Sequence, residues 1–251
     1  MLGIPRERPE AFGSRAELTP EEFAERAAAV NRGTFGPRPF DDFDDFTLYD
    51  RCITRGIFGS ALPAIYGNGI RITQSLDAFA ITYEMIHETR VIPLDGRAHS
   101  SEAIRPYTGN GRGRFQGDTL VVETTNFTDR TGVGAGGAHS DRLKLVERYR
   151  RIDPEMIEYV VTVDDPVTFT APFTYRIVFT TTPGYQMYEY SCHEGNSAID
   201  HSLSGERDYE RRVAEAVAKG LTAPVRVPSA ATLELPEDRD SIVFFDINTG
   251  E

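Results

Sequence analysis

Between residues 70 and 192 apolar and polar positions alternate with a period of two, the pattern of half-buried β-strands. Ile70 to Gln74, Phe79 to Ile86 and Glu88 to Leu94 form a first group. Asp118 to Phe127, Leu143 to Ile152, Met156 to Val163, Phe173 to Thr181 and Tyr185 to Cys192 follow. Asp153-Pro154-Glu155 and Thr182-Pro183-Gly184 supply hairpin turns. Connections this short exclude parallel pairing, which needs long crossovers. The pattern predicts a mainly β fold: an antiparallel up-and-down, lipocalin-like barrel of about eight strands, which leaves room for one small ligand.

Helical spacing brackets the strands. Thr19-Pro20-Glu21-Glu22 offers a cap, a proline at the first helical position and a glutamate that reaches back, with Phe23, Ala27 and Val30 on one face and Gly33 as the stop. A second helix is predicted from Gly205 to Lys219, capped by Ser204 and ended by Gly220. Its narrow stripe of Tyr209, Val213 and Val217 is expected to lie outside the barrel wall. Thr34 to Asp50, rich in Phe, Pro and Asp, reads as an extended strap. A calcium loop would need liganding oxygens at alternate positions around a glycine turn. Gly109 to Gly117 and Gly132 to Gly137 read as loops over the barrel mouth. The first precedes a strand, so it lacks the helix N-terminus that a phosphate loop uses. Ser241 to Phe245 reads as one more short strand. The 251 residues are thus read as one domain: helix and strap over 1–65, barrel over 66–195, helix and tail over 196–251.

A net charge of −12 repels phosphate backbones and argues against nucleic acid as a partner. No apolar run reaches the roughly 18 residues a bilayer requires, so no membrane span is expected. Met1 to Pro5 is followed by charge in place of an apolar signal core. A homo-oligomer is compatible with the chain. Cys52 and Cys192 are either two core thiols or one disulfide, which across so long a loop contributes roughly 4 to 5 kcal/mol in the chain-entropy model.

The candidate chemistry lies at two His-Glu pairs, His87-Glu88 and His193-Glu194, each at a predicted strand end. Alternation puts Phe79, Ile81, Tyr83, Met85 and His87 on one face, so Tyr83 and His87 are expected to point into the cavity. Tyr188, Tyr190 and Cys192 share a face, and Asn126 continues the face of Leu120, Val122 and Thr124. Histidine is the side chain that titrates near neutrality. His87 is therefore the candidate base, and His193 with Glu194 the candidate acid, with Glu88 as an orienting carboxylate. Tyr83, Arg90, Arg97, Asn126, Tyr188 and Tyr190 are the candidate substrate-binding residues. In the competing reading each histidine caps a strand end by bonding a backbone carbonyl. A divalent metal would draw on His87, His193 and Glu84, but no HxH or HExxH spacing anchors it, so no cofactor is expected. The reading is an enzyme acting on a small polar organic molecule by proton abstraction and return, a lyase, dehydratase or isomerase. A lipocalin-like carrier is the alternative.

The strings Leu48 to Gly56 (LYDRCITRG), Tyr83 to Gly96 (YEMIHETRVIPLDG), Gly117 to Phe127 (GDTLVVETTNF) and Cys192 to Asn196 (CHEGN) resemble a widespread family of uncharacterised bacterial proteins over about residues 17 to 210. The resemblance implies an exported, periplasmic or secreted mature form, and with it the Cys52–Cys192 disulfide. It implies no catalytic role.

Overall fold

A computed structural model describes residues 18–21, 40–63, 66–132 and 139–224. The chain divides into two compact units. One comprises Met1–Phe12, Glu25–Arg51 and Ser197–Glu251, the other Gly13–Ala24 and Cys52–Asn196.

The second unit holds every described strand, in two antiparallel sheets. One sheet is β1 (Ile70–Gln74), β2 (Ala78–Tyr83) and β3 (Thr89–Pro93), and the other runs β4 (Asn110–Gln116), β5 (Thr119–Thr125), β6 (Lys144–Asp153), β7 (Met156–Asp164) and β8 (Phe173–Thr180). In both, chain neighbours are ladder neighbours. Alternation fixes which side is buried: Phe79, Ile81 and Tyr83 of β2, Leu120 and Val122 of β5, Leu145 and Tyr149 of β6, and Tyr159, Val161 and Val163 of β7 meet in one core. A short helix, α1 (Gly56–Ala61), adds Ile57 and Phe58 to it. The fold is mainly β, as the alternation predicts. No ladder joins β1 to β8 or β3 to β4 among the described residues.

Two segments depart from the expected strand list. The glycine-rich stretch after Gly109 is strand β4 and not a lid. Gly113 serves a close approach, since a Cβ there would stand 2.6 Å from Leu94 Cδ2 and 3.1 Å from Ile92 Cγ2. Tyr185 to Cys192, expected as the last strand, joins no ladder; side chains of the β2–β3 connection hold it instead.

In the first unit, a 3-10 turn at Phe43–Asp45 interrupts the expected strap. Asp42 and Asp45 close a capping box around it, and Phe40 stacks on Phe46 at 4.2 Å. Helix α2 runs Ala198–Ala218, starting seven residues before the expected Gly205. Ser204 is therefore interior, and its hydroxyl donates to the His201 carbonyl. The predicted stop holds: Gly220 has φ +65°, with Gly220 N–H on Val217 O and Leu221 N–H on Ala216 O, a Schellman ending. Of the N-terminal helix only Pro20 and Glu21 are described, both helical. Its remainder, Gly134 to Gly137 of the second glycine-rich stretch and the strand expected at Ser241 to Phe245 lie outside the described residues. Among the described residues no helix is long and apolar enough to cross a membrane.

Candidate functional site

The β2–β3 connection is where several of the sequence-derived candidates meet. Period-two geometry ends at Tyr83, because Glu84 turns helical and Met85–His87 forms a 3-10 turn with Ile86 at φ 62° and His87 at φ 42°. Left-handed backbone is costly for a β-branched residue, and such strain gathers at sites that need a fixed geometry. The turn separates two residues expected on one face: Tyr83 is buried in the core, whereas His87 is exposed.

Glu84 organises the turn. It is only 7% exposed, and its carboxylate accepts three bonds: Gly69 N–H at 3.0 Å, Tyr188 N–H at 3.1 Å and the Tyr185 hydroxyl. Desolvation raises its pKa, but the bonds from Tyr185, Tyr188 and Gly69 outweigh it and hold the carboxyl below the ordinary value. Glycine is needed at 69, where a Cβ would meet Glu84 Oε2 at 2.6 Å. One residue type thus fastens two chain segments, 66–69 and 185–188, to the end of β2.

His87 adds a third fastening. Its Nδ1 lies 3.1 Å from the Tyr190 carbonyl oxygen. A carbonyl only accepts, so Nδ1–H is the donor in this bond. The Tyr190 and Tyr66 rings stack 6.4 Å apart with their hydroxyls 3.3 Å from each other. Cys192 is bonded to Cys52, the Cα atoms 5.7 Å apart, and Asn196 Nδ2 reaches Cys52 Sγ at 3.3 Å. Glu88 does not orient a histidine. Thr54 Oγ1 lies 2.9 and 2.7 Å from its two oxygens, while burial raises its pKa against that bond and the Arg90 charge. The outcome is a fixed face carrying Tyr66, Tyr185 and Tyr188, which are 49%, 52% and 73% exposed, beside the open edge of His87.

The other candidates are distributed differently. His193 and Glu194 are exposed in a turn, where the Asn196 N–H donates to the His193 carbonyl. Arg97 is exposed and pairs with Asp95 two residues away. Asn126, at φ 57°, donates from Nδ2 to the carbonyls of Ser100 and Ser101 and so anchors that loop. Arg90 does hold a carboxylate, but an internal one. Its guanidinium makes two bonds to Glu147, at 2.9 and 2.7 Å, and a third to Thr124 at 3.2 Å. Glu147 accepts further bonds from Tyr149 at 2.8 Å, Tyr159 at 3.0 Å and Thr124 at 3.2 Å. Desolvation works against the Glu147 charge, and Arg90 together with the two tyrosines overcomes it, keeping the carboxylate ionised. Tyr83 lies against the pair, its pKa pushed up to about 12 by desolvation, which the Arg90 charge only partly offsets. Arg90 and Glu147 are 4% and 0% exposed. This closed network specifies the core and is shielded from any ligand in bulk solvent.

Sequence reasoning missed Glu84 as an anchor and Glu147 altogether. The signal for Glu147 was present: alternation places it between Leu145 and Tyr149, an inward position for a charge. Among the described residues no group of three or more His, Cys, Asp or Glu side chains is placed to hold a metal ion, so His87, His193 and Glu84 do not form one set. No protein-family model, curated protein or solved structure matches the chain.

Proposed function

We propose that the protein binds a small polar organic molecule on the face formed by His87, Tyr66, Tyr185, Tyr188 and Tyr190. The two sheets would act as opposite walls of an up-and-down, lipocalin-like scaffold that presents this face at one rim. The observation that carries the reading is the fastening of an exposed, tyrosine-rich segment outside any ladder by Glu84, His87 and the disulfide. Tyrosines in a fixed frame supply flat apolar area and a hydroxyl at low entropic cost. The remaining ring nitrogen of His87, Nε2, would hydrogen-bond a polar group beside the ligand's ring. The resemblance to exported bacterial proteins fits a disulfide-fastened surface of this kind.

The acid/base reading rests on a separate observation. His87 is exposed and spends Nδ1 on the Tyr190 carbonyl, so Nε2 is the ring nitrogen left for a ligand, and Glu88, next to it in the chain, has its pKa raised by burial. One experiment separates the two. Polar ring compounds are screened by ligand-detected NMR against the wild type and a His87→Ala/Tyr188→Ala variant, and each compound that binds is recovered after long incubation. Binding lost in the variant, with the compound returned unchanged, supports the binding protein. A compound altered by the wild type and not by the variant supports the enzyme. Binding equal in both proteins refutes the site.

A further inference from the structure

The string Cys192 to Asn196 does more than end the tyrosine segment. Gly195 turns the chain at φ +72°, the Asn196 N–H closes on the His193 carbonyl, and the Asn196 side chain returns to the disulfide, where Nδ2 lies 3.3 Å from Cys52 Sγ. The two cysteines are unequally placed. Cys52 is buried, next to a Thr54 that is fastened to Glu88, whereas Cys192 is half-buried between Ser191 and His193, both exposed. A sulfur in a disulfide is a weak acceptor and a thiolate a strong, charged one. A donor aimed at Cys52 Sγ therefore has its full effect only when the S–S bond breaks with the electron pair on that atom.

We propose that Cys192 is a site of thiol–disulfide exchange with a dithiol, with Cys52 as the leaving sulfur and Asn196 as its hydrogen-bond donor. A thiolate of the dithiol attacks Cys192 Sγ and forms a mixed disulfide as the Cys52–Cys192 bond breaks. The electron pair leaves on Cys52 Sγ, where the Asn196 bond stabilises the charge until a proton arrives from water. A leaving sulfur of lower pKa speeds such a step. The second thiol of the dithiol, once deprotonated, attacks its own sulfur in the mixed disulfide and releases Cys192, which also takes up a proton. Two electrons and two protons have then passed to the protein, and the dithiol has become a disulfide. In the reduced protein the tyrosine segment keeps its bonds to Glu84 and His87 but loses its covalent tie at Cys192. On the reading of that face given above, reduction weakens ligand binding; the exchange itself does not depend on that reading.

The folded full-length chain is treated with reduced glutathione and, separately, with dithiothreitol. With glutathione, and with iodoacetamide to stop the reaction, peptide mass spectrometry is expected to find glutathione on Cys192 and the alkyl group on Cys52. Dithiothreitol should reduce the wild type about three- to tenfold faster than Asn196→Ala, less than the full worth of a bond to a charged acceptor because the sulfur carries only part of its charge at attack. Asn196→Asp keeps the shape and repels a thiolate, so it should react more slowly still. Amide shifts on reduction should concentrate at residues 52–54 and 185–196. Glutathione on Cys52, equal rates in the three proteins, or a disulfide that yields only when urea unfolds the chain would each overturn the proposal. All three are read without a ligand, so a failure of the tyrosine face as a binding site would leave them unchanged.

Discussion

Glu84→Gln is the substitution that most directly tests how the tyrosine segment is held. The side chain keeps its shape and loses its charge. Oε2 accepts the Gly69 N–H and the Tyr185 hydroxyl, and Oε1 accepts the Tyr188 N–H, so one side of the amide must now face a donor with a donor. Hydrogen bonds to a charged acceptor contribute roughly 1.5 to 3 kcal/mol net, against about 1 for neutral pairs. Tyr185 is 52% exposed, which discounts its share, and the two backbone donors leave a loss of about 2 kcal/mol for Gln. The effect carries a pH signature. The Glu84 carboxyl is held below its ordinary value of 4.5 in the folded protein, so the unfolded chain binds the proton more tightly. Its stabilisation is complete above pH 4.5 and is lost as pH falls through the folded pKa. Urea unfolding of wild type and variant at pH 7 and pH 3 measures both parts. A gap of about 2 kcal/mol at pH 7 that narrows at pH 3 is expected. Equal stability at pH 7, or a gap unchanged by acid, would refute the role given to Glu84.

Three further outcomes follow from the same structure. Arg90→Met should cost about 3 to 5 kcal/mol, because Glu147 is left charged and buried, and adding Glu147→Leu should restore much of the loss in urea unfolding. Gly113→Val should destabilise by about 1 to 3 kcal/mol through its clash with Leu94, whereas Gly205→Ala, which meets nothing within 4 Å in mid-helix, should be neutral or stabilising in thermal melts. His139 is buried with Nε2 2.6 Å from Thr131 Oγ1 and Nδ1 2.9 Å from the Ser140 carbonyl. Burial lowers its pKa from 6.5, against the Ser140 carbonyl and the charges of Asp165 and Asp129. The unfolded chain therefore takes up the proton first, and stability should fall as pH drops below 6.5. His139→Gln should flatten that slope, and an identical slope in both proteins would contradict the assignment.

Alternation made the sheets legible wherever side chains carry the pattern, as in β1 and β6. It failed at β4, whose Gly111 and Gly113 have no side chain to alternate, and at Gly113 the close approach of Ile92 and Leu94 leaves no room for one. It overreached at Tyr185 to Cys192, where the apolar and aromatic spacing is real but the partners are the Glu84 carboxylate and the His87 ring in place of a neighbouring strand. Continuing the β2 face to His87 assumed extended backbone that Ile86 does not adopt. The strings containing Cys52, Glu84, His87 and Cys192 were marked from the sequence, but their convergence is a long-range property: Tyr188 lies 104 positions from the Glu84 it bonds. The sequence reading assigns Arg90 to a substrate, whereas its guanidinium is engaged inside the core. Its ligand, Glu147, is 57 residues away, and no local pattern pairs them.

The central claim, that the face fastened by Glu84, His87 and the disulfide is where a small molecule binds, is tested most directly by mapping. Amide shifts are recorded as the strongest compound from the polar-ring screen is titrated into the wild-type protein. The account predicts perturbations concentrated at residues 66–69, 84–88 and 185–193. Perturbations confined to the outer faces of β6 to β8, or to helix α2, would contradict it.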